Sequence, residues 1–463
     1  MNPEQAIGLA LLVPLVGAIG VLLTGRSPNV RETVTLVASL VTCYLVLSIL
    51  PHVQGGLTPE LKLFEVFPGF VGGKTSFEGV WLAFEVEPLG MLYALVASIL
   101  WIPTSMYAIG YMRGHNEDNQ TRFFACFAMA IFAALGIAFA ANLFTLFLFY
   151  EILTFSTYPL VTHYGNAEAK RAGRIYMGIL LTTSVAFLLL GVMGTYFFAG
   201  TMDFKLGGIL NGKVQPWQAM ILLGLYAFGT GKAALMPFHK WLPNAMVAPT
   251  PVSALLHAVA IVKAGVFTIL KVVVYIFGID FLARTDASVW LMYVAAFTLL
   301  SSSIIALQKD NLKARLAYST ISQLAYIVLG AALATDSAIL GGGLHIAMHA
   351  IGKITLFFCA GAIYVALHKK NISTMNGIGR KMPFTMSAFF IGSLCIIGVP
   401  PMGGSWSKWY LAMGAIDADQ LLFVVVLMIS SLLSIAYLMP VVVKAFFFEP
   451  SPDEHHDDHH DDH

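Results

Sequence analysis

Charge is scarce in this chain. Of 463 residues, 11% are charged and 58% hydrophobic, where a soluble domain carries roughly a quarter charged residues. An ordinary aqueous globule is excluded. Basic excess is lacking as well: 26 Lys plus Arg stand against 25 Asp plus Glu, a formal net charge of +1, so nothing is left over to neutralise phosphates and no nucleic-acid partner is expected. Cysteine is sparse. Cys43, Cys126, Cys359 and Cys395 lie far apart inside apolar runs, without zinc, iron–sulfur or thioredoxin-like spacing. There is also no Walker loop, no GxGxxG opening a βαβ unit and no nucleophile elbow. No cofactor and no catalytic redox site are expected on this chain, so energy must come from an ion gradient or another subunit.

What is abundant is long apolar sequence. A spanning helix needs about 20 such residues, and thirteen runs qualify, near 5–24, 31–50, 86–110, 121–140, 143–163, 174–199, 216–238, 250–278, 287–307, 313–334, 337–367, 383–415 and 420–446. They lack the period-2 alternation of barrel strands, and in lipid only helices and closed barrels satisfy every backbone group. The expected fold is all-α, a polytopic membrane helix bundle. The first run follows Met1-Asn2-Pro3-Glu4 instead of the basic start of a secretory signal, and reads as a retained span.

Lys and Arg sort between the connections. Sixteen, among them Arg26, Arg113, Lys170, Lys309 and Lys369, fall in one alternating set and only five, Lys62, Lys74, Lys205, Lys213 and Arg284, in the other. Short cytoplasmic loops hold such an excess, which places the N-terminus outside in a multi-pass protein of the cell (inner, cytoplasmic) membrane. Residues from Pro51 to Glu87 are too polar to span and read as an outside loop with short strands. The tail 449–463, rich in His and Asp, cannot bury a core. There His455, His459 and His463 are at most a weak zinc or nickel set, and a solvated, disordered end is expected.

Charges inside a bilayer cost about 2.5–3.5 kcal/mol each even on lenient insertion scales, so each is a functional candidate. Among the acids only Glu151, in Phe147-Leu148-Phe149-Tyr150-Glu151-Ile152, lies mid-span, while Lys232, Lys263, Lys353 and Lys408 all do. Lys271 is weaker, near an outer end where it can snorkel. A static strut explains one pair, but one glutamate cannot neutralise four lysines. Ammonium groups in a row that exchange protons are what a proton relay needs. Histidines extend the row: His345, His349 and Lys353 at i, i+4 and i+8 share one helix face. His257 and Lys263 are six apart, about 240° around an ideal helix, and align only if that helix is distorted. Ser319, Ser322, Gln323 and Tyr326 form a further polar stripe. Helix breakers flank two of the lysines, at Gly231 and Pro237 beside Lys232 and at Pro400 and Pro401 before Lys408. Such breaks at membrane depth line ion or substrate sites. They lie five spans apart.

At these residues the chain resembles a known superfamily, the antiporter-like subunits shared by Mrp-type cation/proton antiporters, respiratory complex I and membrane-bound hydrogenases. The resemblance runs from about Phe84 to Phe448 and is carried by Phe149-Tyr150-Glu151, by Gly231-Lys232-Ala233-Ala234-Leu235-Met236-Pro237-Phe238-His239-Lys240-Trp241-Leu242-Pro243, and by Ala248-Pro249-Thr250-Pro251-Val252-Ser253-Ala254-Leu255-Leu256-His257 with Lys263-Ala264-Gly265 behind it. It implies inverted five-helix repeats with discontinuous helices around a hydrated axis: N-terminal helices and outside loop in 1–120, one repeat in 121–278, the other in 287–446. Glu151, Lys232, Lys263 and Lys408 are then the proton-translocating positions, with His257, His345, His349 and Lys353 as the relay. In the family the glutamate pairs with the first lysine, and parting them sends the proton toward the middle and far lysines. Members usually have fourteen spans, against thirteen counted here.

A lysine at 408 suits the Mrp D-type subunit. The expected function is that of a proton-translocating subunit of an Mrp-type monovalent cation/proton antiporter, with further antiporter-like and small membrane subunits as partners, lipid around it, and Na+ or K+ as the exchanged ion. The alternatives are a pumping subunit of a complex I-like NADH:quinone oxidoreductase or membrane-bound hydrogenase, a stand-alone secondary transporter, or a scaffold whose charges only hold helices together.

Overall fold

Proline at the first turn fixes φ where no backbone donor is needed, and five helices start this way, at Pro3, Pro28, Pro88, Pro216 and Pro383. Asn142, Asn311 and Thr335 cap three others with a side-chain oxygen. The computed structural model describes residues 2–450, so the histidine tail, with His455 and His459, lies outside the described residues.

In chain order the helices are α1 (Pro3–Leu23), α2 (Pro28–Gln54), α3 (Pro88–Gly114), α4 (Gln120–Ala138), α5 (Leu143–Val161), α6 (Ala167–Thr183), α7 (Leu189–Ala199), α8 (Pro216–Gly229), α9 (Trp241–Asn244), α10 (Thr250–Ala254), α11 (Ile261–Val272), α12 (Ile279–Thr285), α13 (Val289–Gln308), α14 (Leu312–Leu333), α15 (Asp336–Leu367), α16 (Ile378–Lys381), α17 (Pro383–Ile397), α18 (Gly403–Asp417) and α19 (Leu421–Phe447). A π turn at Ser184–Leu188 joins α6 to α7, and another at Leu255–Val259 joins α10 to α11. Eleven of the resulting helices are long and apolar enough to cross a membrane. The remaining two of the thirteen apolar runs are broken: 216–238 into α8 and a 3-10 turn at Gly231–Ala233, and 383–415 into α17 and α18. The protein is a polytopic integral membrane protein.

The connections sort into two layers through their own hydrogen bonds. On one side, strand β1 (Glu60–Phe67) pairs antiparallel with β4 (Val80–Glu85), and β2 (Phe70–Gly72) with β3 (Thr75–Phe77). Phe84 then bridges Ala140, Asn142 bridges Asp203, and Leu210 donates to the Ile276 carbonyl. On the other side Asn311 bridges Asn371, Ile372 donates to Asp310, Gly377 to Lys444, and the Arg122 guanidinium to the His163 carbonyl. No bond in these two sets crosses between layers. The second layer is the basic one.

Candidate functional site: a row of lysines and histidines between two broken helices

The first break forms because α8 cannot continue. A Cβ on Gly229 would overlap the Leu188 backbone, and one on Gly231 would overlap the Thr183 hydroxyl. The freed backbone groups are taken up by side chains: Trp241 Nε1 donates to the Gly231 carbonyl at 2.9 Å, Lys232 N to Tyr150 Oη at 3.2 Å, and Met236 N to Thr298 Oγ1 at 3.2 Å. Lys232 is fully buried at this turn. Its Nζ donates to the Tyr150 carbonyl at 2.9 Å and to Thr154 Oγ1, and lies 3.4 Å from the centre of the Tyr150 ring. The Glu151–Lys232 pair that the resemblance implies is not closed, since no ion pair joins them within 4.0 Å among the described residues. Glu151 is half-buried, and its Oε1 has no hydrogen-bond partner.

Gly265 brings α11 onto this turn, because a Cβ there would overlap the Lys232 carbonyl carbon and the Ala233 nitrogen. The helix carrying His257 and Lys263 is distorted between them, π-turned over Leu255–Val259 and bent at Ala260 (φ −120°, ψ −70°). Both side chains consequently reach α15: the His257 ring sits 4.7 Å from Phe357, and Lys263 Nζ hydrogen-bonds His349 Nδ1 at 2.5 Å. His349 stacks on His345 at 6.0 Å. His345 in turn bonds Gln323 Oε1 at 2.9 Å and Ser407 Oγ at 2.8 Å. Lys353, one turn further, donates to Ser319 at 2.7 Å, and Ser319 meets Tyr437 Oη at 2.9 Å.

The second break opens at Gly398, whose φ of +88° an L side chain rarely adopts. α18 then restarts at Gly403, and a Cβ on Gly404 would overlap the Cys395 carbonyl oxygen. Lys408 reaches back over the broken end, donating to the carbonyls of Ile396 at 2.8 Å and Ile397 at 3.0 Å and to Ser431 at 3.3 Å. These are terminal helix carbonyls, which favour a cation. Its Nζ lies 4.8 Å from the Tyr326 ring centre, and the same ring lies 5.5 Å from His345. The row therefore runs Lys263, His349, His345 and, through Ser407 and Tyr326, to Lys408. Lys232 lies against α11, one helix away, with no direct bond to Lys263.

Sequence reasoning missed the holders. Tyr150 and Thr154 flank Glu151 and grip Lys232, and Ser407 beside Lys408 grips His345; helical spacing marks such neighbours only once the facing helix is known. One expectation is corrected. Lys271 does not snorkel: it is 1% exposed and pairs with Glu87 at 2.6 Å, while Tyr275 donates to the same carboxylate at 3.0 Å. Glu87 caps α3 through Leu89 N and Gly90 N, so a carboxylate already stood within reach at that end. Nearby, burial pushes the Glu85 carboxyl up from its ordinary value, against the Thr58 hydrogen bond and the Lys271 charge. Among the described residues no three His, Cys, Asp or Glu side chains are grouped to hold a metal.

Residues 140–434 match the family described as NADH:quinone oxidoreductase/Mrp antiporter, TM. The chain belongs to this family. NADH-quinone oxidoreductase subunit N of Desulforudis audaxviator is 35% identical over 365 residues, covering 78% of this chain and 72% of that one. A Staphylococcus haemolyticus protein named as antiporter subunit mnhA2 is 32% identical, covering 71% of this chain and 42% of its own length. Against the longer chain 5 or subunit 5 relatives, this chain spans 48% to 65% of their length. The structure of the Mrp complex from Dietzia sp. DQ12-45-1b contains a chain with the same fold, at TM-score 0.84 and 23% identity over 98% of this chain and 82% of that one.

Proposed function

We propose that this chain is a proton-translocating, antiporter-like subunit of a multi-subunit Mrp-type monovalent cation/proton antiporter. Protons move along Glu151, Lys232, Lys263 and Lys408, with His257, His345, His349 and Lys353 relaying between them. One observation carries the reading: Lys263 is hydrogen-bonded to His349, His349 stacks on His345 with ring centres 6.0 Å apart, and His345 meets Ser407 beside Lys408, all buried. A structural strut has no need of a Lys–His–His chain without counter-ions, since each such group is costly in lipid. The two broken helices, each with a lysine, belong to two inverted repeats in 121–278 and 287–446, and the N-terminus is outside. Glu151 is half-buried at mid-span, and a neighbouring membrane subunit covers it.

Proton pumping within an NADH:quinone oxidoreductase-type complex is the second reading, favoured by the 35% identity to a subunit N. The subunits that co-purify decide between the two: iron–sulfur or flavin proteins select the pump, small membrane proteins alone the antiporter. The proton axis itself is tested in vesicles containing the whole complex. Lys232→Ala or Glu151→Ala should abolish proton movement while the complex still assembles. Full activity in both variants sinks the axis.

A further inference from the structure

A second cluster of charged side chains lies away from the lysine row, where α2, α3 and α4 meet at the basic layer. Arg113, in the last turn of α3, donates through Nε to Glu32 Oε1 of α2 at 2.9 Å, and through Nη2 to Glu32 Oε2 and to Asn29 Oδ1, the latter at 2.7 Å. Arg31 is 5% exposed, and its Nη1 and Nη2 donate to Thr121 Oγ1 and Gln120 Oε1, both at 3.1 Å. Its Nη2 lies 3.6 Å from Glu32 Oε1, and its Nε has no hydrogen-bond partner. One carboxylate thus stands between two guanidinium groups. One positive charge is left over.

An open cavity of about 700 Å³ lies over these groups, with Asn29, Arg31, Arg113, Asp118, Gln120 and Thr121 in its wall. Two helices begin at that wall, α2 at Pro28 and α4 at Gln120, and neither Ser27 nor Asn119 caps its helix with a side chain. Backbone N–H groups of both first turns are therefore without helical acceptors and suit an anion. The rim also holds the opposite sign. Asp118 is exposed there, whereas Glu117 accepts from Tyr164 Oη at 3.3 Å and lies 3.9 Å from His163. A ligand matched to this wall carries one negative and one positive charge.

Below the cavity the seam between α2 and α3 turns apolar. Asn29, Val37 and Tyr44 follow at i, i+8 and i+15 on α2, and Arg113, Met106 and Ile99 at i, i−7 and i−14 on α3; all six are exposed, and each set stays within about 80° of its helix surface. Because Asn29 and Arg113 are hydrogen-bonded to each other, the two stripes start together at the cavity. A Cβ on Gly110, between Arg113 and Met106, would meet nothing within 4 Å, so the groove is open at that point. From Arg113 to Ile99 the axis rises about 21 Å, more than half of a hydrocarbon core of about 30 Å. The stripes have the length of an acyl chain.

We propose that this seam is a phospholipid site, in the leaflet on the basic side, for a zwitterionic headgroup with a primary amine. The phosphate lies at Arg113, Arg31 and the two helix starts, the ammonium at Asp118, and the acyl chains on the α2 and α3 stripes. Charge makes the selection: the phosphate takes up the surplus guanidinium charge, and the ammonium neutralises and hydrogen-bonds Asp118. A glycerol headgroup leaves Asp118 without a cation, and a choline headgroup brings a charge with no N–H. The site lies outside both proposed repeats and stands or falls independently of the proton axis.

Photochemical crosslinking on the detergent-purified whole complex tests it, with phosphatidylethanolamine carrying a diazirine on one acyl chain and the products read by mass spectrometry. Crosslinks should fall on residues 37–44 and 99–110. Unlabelled phosphatidylethanolamine should suppress them, with phosphatidylcholine, phosphatidylglycerol and diacylglycerol each much weaker. Arg113→Gln should lower the yield about tenfold, the factor expected for a lost hydrogen bond to a charged group. Asp118→Asn, an exposed change that leaves the arginines in place, should bring phosphatidylethanolamine and phosphatidylcholine level. Diacylglycerol competing as well as phosphatidylethanolamine would make the seam ordinary lipid-facing surface and overturn the site. Phosphatidylglycerol competing better, or a preference for phosphatidylethanolamine that survives in Asp118→Asn, would overturn the zwitterionic match.

Discussion

The two lysines at the helix breaks are held by nearly the same means, yet their neighbourhoods differ in sign. Lys232 has a main-chain carbonyl, a threonine hydroxyl and the face of Tyr150. Lys408 has two carbonyls, a serine hydroxyl and the face of Tyr326. Only Lys232 stands beside an acid, since the residue next to Tyr150 in the chain is Glu151, whereas α14, α17, α18 and α19 carry no Asp or Glu within their membrane interiors. A cation held by dipoles alone has one preferred place. A cation held by dipoles beside an unpaired carboxylate has a second place to go, so on the proposed proton axis the first half would switch and the second receive. The open Glu151–Lys232 arrangement is one of the two states such a switch requires.

The largest effects should separate these roles. Glu151→Gln should reduce proton movement in reconstituted vesicles more than tenfold with normal assembly. Lys408→Gln, which keeps a donor for the Ile396 and Ile397 carbonyls, should retain assembly and lose transport to a similar degree. Lys408→Glu should in addition lose assembled complex, because it points a carboxylate at two terminal carbonyls. Equal assembly of Lys408→Gln and Lys408→Glu would break the comparison.

Next in size is the packing that holds the first lysine's turn. Gly265→Ala pushes a methyl into the Lys232 and Ala233 backbone, and overpacking of this kind costs about 1–3 kcal/mol or more. Gly110→Ala has nothing within 4 Å and should be neutral or slightly stabilising. Thermal unfolding of the purified complex reads both. A Gly265→Ala midpoint equal to that of Gly110→Ala would show that the turn is free to move away. The hydroxyls come third: Thr154→Val removes one of the two hydrogen-bond acceptors of a fully buried ammonium, while Ser431→Ala leaves Lys408 two carbonyls. Hydrogen bonds to charged groups are worth about 1.5–3 kcal/mol, so transport should fall several-fold in the first variant and less than twofold in the second.

The helical character, the thirteen runs and the two breaks were legible because hydrophobic length, proline and glycine act locally along the chain. The shared face of His345, His349 and Lys353 was legible for the same reason, being a matter of spacing on one helix. The distortion between His257 and Lys263 could be posed only as a condition, because a π turn is decided by what packs against it, here α15. The grip of Tyr150 on Lys232 and the pairing of Lys271 with Glu87 were not legible. Both join residues far apart in the chain, Lys271 and Glu87 by 184 positions, and no periodicity encodes which helices meet.

The smallest effect lies at the basic-layer end of α5, the helix that carries Tyr150, Glu151 and Thr154. His163 follows its last turn and is 5% exposed. Burial, with the Arg122 charge beside it, lowers its imidazole from 6.5 to about 4, while Asp118 opposes the shift. The folded protein therefore binds this proton less readily than the unfolded chain. Its contribution to stability is complete above pH 6.5 and is lost as pH falls from there toward 4, reaching about 2 kcal/mol near pH 5. Hydrogen exchange around 160–166 should quicken between pH 7.5 and 5 after correction for the intrinsic rate, and His163→Gln should remove that acceleration. Neither α17 nor α18 contains a histidine, and the one that meets α18, His345, is 1% exposed with both ring nitrogens hydrogen-bonded, so exchange around Lys408 should change little over the same interval. An equal acceleration around His163 and around Lys408 would mean that acid loosens the bundle as a whole, and the helix that carries Tyr150 and Thr154 would lose its distinction from the segments that hold Lys408.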